Sequence, residues 1–305
     1  MLFKMKRIYG LMIMVLATSM VMAHEDEGGV HFAYDAGAEL VSAYIWRGQY
    51  NGGLSFQPDL EIGYDGDISS FRAGVWGNIG ASDWKFVKGR ETYLDADDVE
   101  IDPNTRFMPE LDVMLRFSIV GASIGLNHYY YCDGSNFLSW KKDKELIAFD
   151  EEGNPYVTTT STTEIWIGYS FEHLLGVNAY VNWYTTIAGN DFKENSNGDL
   201  VRAWSSYLEL GYDYTFEDWG LTVGAQVGFS PMKSDLYGNN KFALTNITAR
   251  IDKEWDLDVC SLDLFAVGSI NPNGINKNNA YIKGSGDEKL YNQKLNGAIG
   301  LGIWF

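Results

Sequence analysis

A chain of 305 residues carries 41 acidic against 23 basic side chains, a formal charge of −18, with 15% aromatic residues, 33 glycines and 6 prolines. That charge disfavours nucleic acid or an anionic lipid surface as a partner. After the N-terminus no stretch is continuously apolar for the roughly eighteen residues a spanning helix needs, which excludes a helical membrane bundle.

The N-terminal segment MLFKMKRIYGLMIMVLATSMVMA has the grammar of a secretory signal peptide. Lys4, Lys6 and Arg7 precede an apolar run from Leu11, and Val21-Met22-Ala23 fits a small-residue cleavage site. Residues 1–23 are therefore set aside, with cleavage expected near Ala23 and the mature chain opening on HEDE from His24. Losing that segment takes the formal charge from −18 to −21. There is no Cys at the junction, which argues against a lipoprotein.

Beyond it, a period of two dominates. In GLSFQPDLEIGYDG the residues Leu54, Phe56, Pro58, Leu60, Ile62 and Tyr64 alternate with Ser55, Gln57, Asp59, Glu61, Gly63 and Asp65. PELDVMLRFSI, GVNAYVNWYTT, GLTVGAQVGFS and the C-terminal GAIGLGIWF repeat the pattern. Side chains two apart share a strand face, so each stretch is a strand with one apolar and one polar face. Pro58 cannot donate to a ladder, so a bulge or local break is expected there.

About twelve strands follow from this pattern. They are expected to start near Glu39, Leu54, Ile68, Glu110, Ala122, Thr162, Leu175, Tyr207, Gly220, Lys241, Asp258 and Gln293. The connections alternate. YDGD, VG, FEHLLG, FEDWG and KEWDL are short, whereas those between them are long and polar. The fold class is therefore all-β, a transmembrane antiparallel barrel with short periplasmic turns and long extracellular loops. Residues 24–37 read as a periplasmic lead-in and 38–305 as the barrel. An even strand count leaves both termini on the short-turn side. Tyr64, Phe171, Tyr214, Trp219 and Phe305 would form one aromatic girdle, and Trp46, Tyr130, Trp183 and Phe242 the other. The last strand would close on the first. Ending at Phe305, it would also present the chain to the barrel-assembly machinery.

The segment ELVSAYIWRGQYNGGLSFQPDLEIGYDGDISSFRAGVWGNIG resembles the first strands of the TorF-like porin family. The matching positions are Ser42, Tyr44, Arg47 and Gly48, then Gly74, Val75, Trp76 and Gly77. The resemblance covers about a seventh of the chain. It implies an outer-membrane barrel termed a porin by analogy, with no substrate to carry over.

If the apolar parity faces lipid, the other parity lines the lumen. Glu61, Glu110, Asp112 and Glu164 are the candidate lining acids, with Arg47, Arg72 and Arg116 as their counter-charges. Acids outnumber bases on that parity, and carboxylate rings favour cations. The alternative is an ion-pair network that simply fills the barrel. The expected function is a porin-like channel for passive or narrowly selective diffusion of small solutes or ions, cation-biased. Its place is the outer membrane of a Gram-negative bacterium, with the lipid there as its other partner.

Other chemistry has weaker support. A barrel hydrolase would need a His near the outer rim, and of the four histidines only His128 falls toward a long-loop end, on the lipid parity. No Ser is placed beside it by the sequence, and a closed structural or adhesive barrel stays open as well. No catalytic residue, cofactor or metal is expected. Asp95, Asp97, Asp98, Glu100 and Asp102 crowd one loop but miss the cation-loop spacing, so they read as a solvated acidic loop, with Ca²⁺ left open. Cys132 and Cys260 fall at opposite ends of the expected barrel and should not pair.

Overall fold

The computed structural model describes residues 30–80, 93–94, 100–101, 110–132, 136–138, 140–150, 153–234, 236–273 and 294–305. The expected signal peptide with its cleavage site, and the side chains of Asp95 to Asp102, lie outside the described residues.

Twelve antiparallel strands close into one barrel. They are β1 (Val30–Val41), β2 (Ser55–Gly66), β3 (Ser69–Gly80), β4 (Glu110–Ile119), β5 (Ala122–Tyr131) and β6 (Thr162–Ser170). The rest are β7 (Ala179–Gly189), β8 (Ser206–Phe216), β9 (Leu221–Ser230), β10 (Ala243–Leu257), β11 (Cys260–Ile270) and β12 (Leu295–Trp304). Each strand pairs with its sequence neighbours. The ring closes where Gly37 of β1 faces Trp304 of β12, and Phe305 N–H then donates to the Ala36 carbonyl at 2.8 Å. Closure leaves no strand edge, which lets an all-β wall sit in hydrocarbon.

The wall is inverted relative to a water-soluble protein. Ile62, Leu115, Ile167, Leu210, Ile251 and Leu301 project outward and are exposed, while Ser55, Gln57, Glu110, Glu164, Glu209 and Asp263 are buried inside. Alternation along each strand produces this, because successive Cβ atoms point to opposite faces. Lipid, not water, is the solvent that makes the outer face favourable.

Strand β1 begins at Val30, so residues 30–37 of the expected lead-in belong to the wall. Its alternation is blunted by Ala33, Ala36, Gly37 and Ala38, which give little hydrophobic contrast. Pro58 lies within β2, and the break expected there is present: the β2–β3 ladder passes from Phe56↔Ile79 to Asp59↔Trp76 without pairing Gln57 or Pro58. Gln57 Nε2 donates to Asn78 Oδ1 at 3.0 Å in its place.

Two bulges interrupt the ladders. One falls between Thr163 and Glu164, where Ile187 is the extra residue; the other falls between Gly228 and Phe229, where Thr245 is extra. Such insertions re-aim side chains. On β12, Gly300 is required because a Cβ there would lie 2.3 Å from the Phe265 ring of β11. Cys132, after the end of β5, and Cys260, at the start of β11, form no disulfide.

Candidate functional site

After Val41 the chain leaves the wall. Ser42 N–H donates to the Ile299 carbonyl at 2.8 Å and Ser42 Oγ accepts from Ile299 N–H at 2.9 Å, ending the β1–β12 ladder. A small hairpin follows, Tyr44–Trp46 against Gln49–Gly52. Its two central residues, Arg47 at φ 49° and Gly48 at φ 79°, are both left-handed. Two positive φ values make the mirror-image turn that matches the twist of a two-residue hairpin. Gly is needed at the second position, since a Cβ would stand 2.7 Å from the Thr245 carbonyl oxygen. Arg at the first position is strained, which implies that its side chain is held.

It is held by the far wall. The Arg47 guanidinium forks onto Glu164 of β6, with Nη1 at 2.9 Å from Oε2 and Nη2 at 2.7 Å from Oε1. Arg47 and Glu164 side chains are 7% and 2% exposed, so this is a buried, bidentate pair. Glu164 also accepts from Tyr129 Oη at 2.5 Å and Asn127 Nδ2 at 3.0 Å. The bulge beside Glu164 sits where the wall must aim this carboxylate inward.

Rings enclose the guanidinium. Its carbon lies 4.1 Å from the Tyr184 ring centre and 4.6 Å from those of Trp46 and Tyr207. Tyr237, from the connection between β9 and β10, accepts from Arg47 Nη1 at 2.6 Å and stacks on Tyr207 at 5.4 Å and Trp46 at 6.0 Å. Gln49 Nε2 donates to the Leu236 carbonyl, and Asn296 Nδ2 donates to the Gly48 carbonyl at 2.8 Å. The hairpin therefore crosses the lumen and is fastened to β6, β8, β12 and the β9–β10 connection. Each cation–π contact is worth about 0.5–2 kcal/mol.

Trp46 is thus no girdle residue. The sequence pattern placed it at a strand end facing lipid, but the strand stops at Val41 and the hairpin carries Trp46 inward against Tyr129 and Tyr237.

The seven lining candidates fall into three groups. Arg47 and Glu164 form the clamp. Glu61 lies between Arg116, at 2.8 Å, and Arg72, at 3.8 Å, and Arg72 also pairs with Asp65. Glu110 accepts from the hydroxyls of Tyr44 and Tyr131, beside a buried Asp112 whose Oδ1 has no hydrogen-bond partner. A fourth group lies outside those seven: Arg250 lies over Phe265 at 3.8 Å, with Asp252 at 2.6 Å and Glu39 and Asp263 each at 3.5 Å.

Below the hairpin is a chamber of about 410 Å³, bounded by Tyr44, Arg47 and Gly48 above and by Glu39, Asp213 and Arg250 around its sides. Its charged lining is two acids, Glu39 and Asp213, and two arginines, Arg47 and Arg250; Asp213, and Asp59 outside the lining, make no ion pair among the described residues. Among the described residues no cluster of His, Cys, Asp or Glu is placed to hold a metal ion. His128, the candidate hydrolase residue, has both ring nitrogens occupied, by Thr163 Oγ1 at 2.8 Å and the Phe137 carbonyl at 2.6 Å.

Tyr129, Tyr207 and Tyr237 were not legible as site residues. The one local signal was Arg-Gly flanked by aromatics directly after a strand, in YIWRGQY.

No family model matches the chain, and no curated protein matches it. Solved structures similar to it include an outer membrane channel of Pseudomonas putida F1, at 11% identity and TM-score 0.41, covering 92% of this chain and 96% of that one. OmpF of Salmonella typhi, in complex with daunomycin, has 10% identity and TM-score 0.35 over 90% of this chain and 97% of that one. The P. putida toluene transporter TodX has 10% identity and TM-score 0.32 over 92% and 90%. Likenesses this distant carry no argument about function.

Proposed function

We propose that the mature chain is a narrow, cation-preferring channel for small solutes in the outer membrane of a Gram-negative bacterium. The observation that carries this is the hairpin clamped across the lumen by Arg47 and Glu164 above a chamber whose Asp213 makes no ion pair among the described residues. A wall-lined open pore would need no such crosspiece, and a filled barrel would leave no chamber beneath it. The inverted wall supports the membrane setting.

Export through the N-terminal signal, periplasmic placement of the short turns and recognition of the strand ending at Phe305 by the assembly machinery belong to the same reading. So does membership of the TorF-like porin family, for which Ser42, Tyr44, Arg47 and Gly48 are the support. In this structure they build the crosspiece itself. The reading assigns no enzymatic chemistry, since His128 is engaged on both nitrogens.

The test is ion conductance of the refolded barrel in a planar bilayer under a KCl gradient. Small, steady steps with a cation-selective reversal potential are expected. A folded barrel that stays silent would overturn the channel reading.

A further inference from the structure

His128 and Thr163 face each other across β5 and β6 on the outward parity, the parity of lipid-exposed Ile124 and Ile167. Yet they are 3% and 1% exposed. The chain beyond β5 covers them. The Phe137 ring meets the His128 ring edge-on at 4.9 Å, and its carbonyl lies 2.6 Å from His128 Nε2. Trp140 Nε1 donates to Thr163 Oγ1 at 2.9 Å. The first long connection folds into the lumen; this one folds back down the outside of the barrel.

The covering segment turns Leu138 and Trp140 outward, each 60% exposed. Two large apolar side chains in water at the rim are costly, whereas the same pair in an interfacial layer is favourable. Their level fits that layer. The His128–Thr163 pair lies three residues from the long-connection end of β5 and one residue from that of β6. At a rise of about 3.3 Å per residue and a tilt of about 45°, the pair is within about 7 Å of that end of the wall.

Lys141 and Lys142 follow at once and are exposed. Asp143 beside them is paired with Arg202 at 2.6 Å, so it does not neutralise them. Two exposed lysines next to apolar anchors are out of keeping with a chain of formal charge −18.

We propose that this segment is a strap seated in the outer leaflet, with Leu138 and Trp140 in the acyl boundary and Lys141 and Lys142 binding the phosphates of a phosphorylated lipid. The inference rests on the outer-membrane reading above. Lysine suits the role as a compact charge that can meet a phosphate from several directions. Each lysine near an anionic headgroup surface strengthens the attraction about fivefold.

The test uses the full barrel in nanodiscs of phosphatidylcholine, with or without a minor fraction of bis-phosphorylated lipid A. Cys132→Ser and Cys260→Ser remove the native thiols, and Leu138→Cys carries a bimane label. Quenching of the label by brominated lipid is expected, together with retention of lipid A on detergent extraction, read by mass spectrometry of its 3-hydroxy acyl chains. Lys141→Gln with Lys142→Gln should cut that retention about tenfold or more while leaving the heat-shifted gel mobility of the folded barrel unchanged. A label quenched only by aqueous iodide, or equal retention by the lysine variant, overturns the strap. A barrel that fails to enter nanodiscs at all would overturn the outer-membrane reading instead.

Discussion

Arg47 and Glu164 stand 117 positions apart in the chain and meet as a bidentate ion pair in the middle of the lumen. One comes from a turn that left the first strand, the other from the opposite wall. Removing either partner leaves a buried charge without its mate, a change that costs about 3–5 kcal/mol. Arg47→Ala is therefore expected to release the hairpin and raise single-channel conductance about twofold or more. Glu164→Gln keeps the shape and some hydrogen bonding, and should raise it less. Equal conductance in parent and Arg47→Ala would show that the hairpin is not the constriction.

Gly48→Ala tests the same crosspiece without touching a charge. The added Cβ would meet the Thr245 carbonyl oxygen at 2.7 Å on a left-handed backbone. Strain of about 1–3 kcal/mol at that point should displace the hairpin and reproduce the Arg47→Ala conductance. A parental conductance in this variant would mean that the turn adapts in place.

Selectivity should follow the acids that lack a basic partner. Asp59→Asn combined with Asp213→Asn is expected to lower the cation-to-anion permeability ratio by about half or more. Glu61→Gln should change it little, because Arg116 at 2.8 Å already matches that charge. A larger effect from Glu61→Gln would reverse the assignment of the selective charges.

The clamp has a pH limit set by Tyr237. Burial pushes its hydroxyl up from the ordinary value, so the folded clamp favours the neutral phenol. The stabilisation is fully present below the unfolded value of about 10 and is lost as pH rises beyond it. Conductance read from pH 6 to 11 should stay level and then climb at the alkaline end, and Tyr237→Phe should remove part of that climb. A transition near neutral pH would point to a different group.

Much of the barrel could be read from the sequence, since alternation reports which residues share a face. Ala122, Thr162 and Glu110 open their strands where the pattern placed them. Alternation says nothing about where a connection goes once it leaves the wall. That is why Trp46 read as a girdle residue and why Arg47 read as ordinary lining. The hairpin depends on a left-handed Arg, a conformation that no propensity favours and that only the distant Glu164 makes tenable. The partners Tyr129, Tyr207 and Tyr237 look like any of the 19 tyrosines until two strands and a connection bring them together.

On the inner side of β12 Ala298, Gly300 and Gly302 offer almost no bulk, and the room above Gly300 belongs to Phe265 of its neighbour. Between Asn296 and Trp304 the strand therefore carries little bulk into the seam between β11 and β1. It can slide along both edges into register, because those three positions present nothing for a neighbouring side chain to catch on.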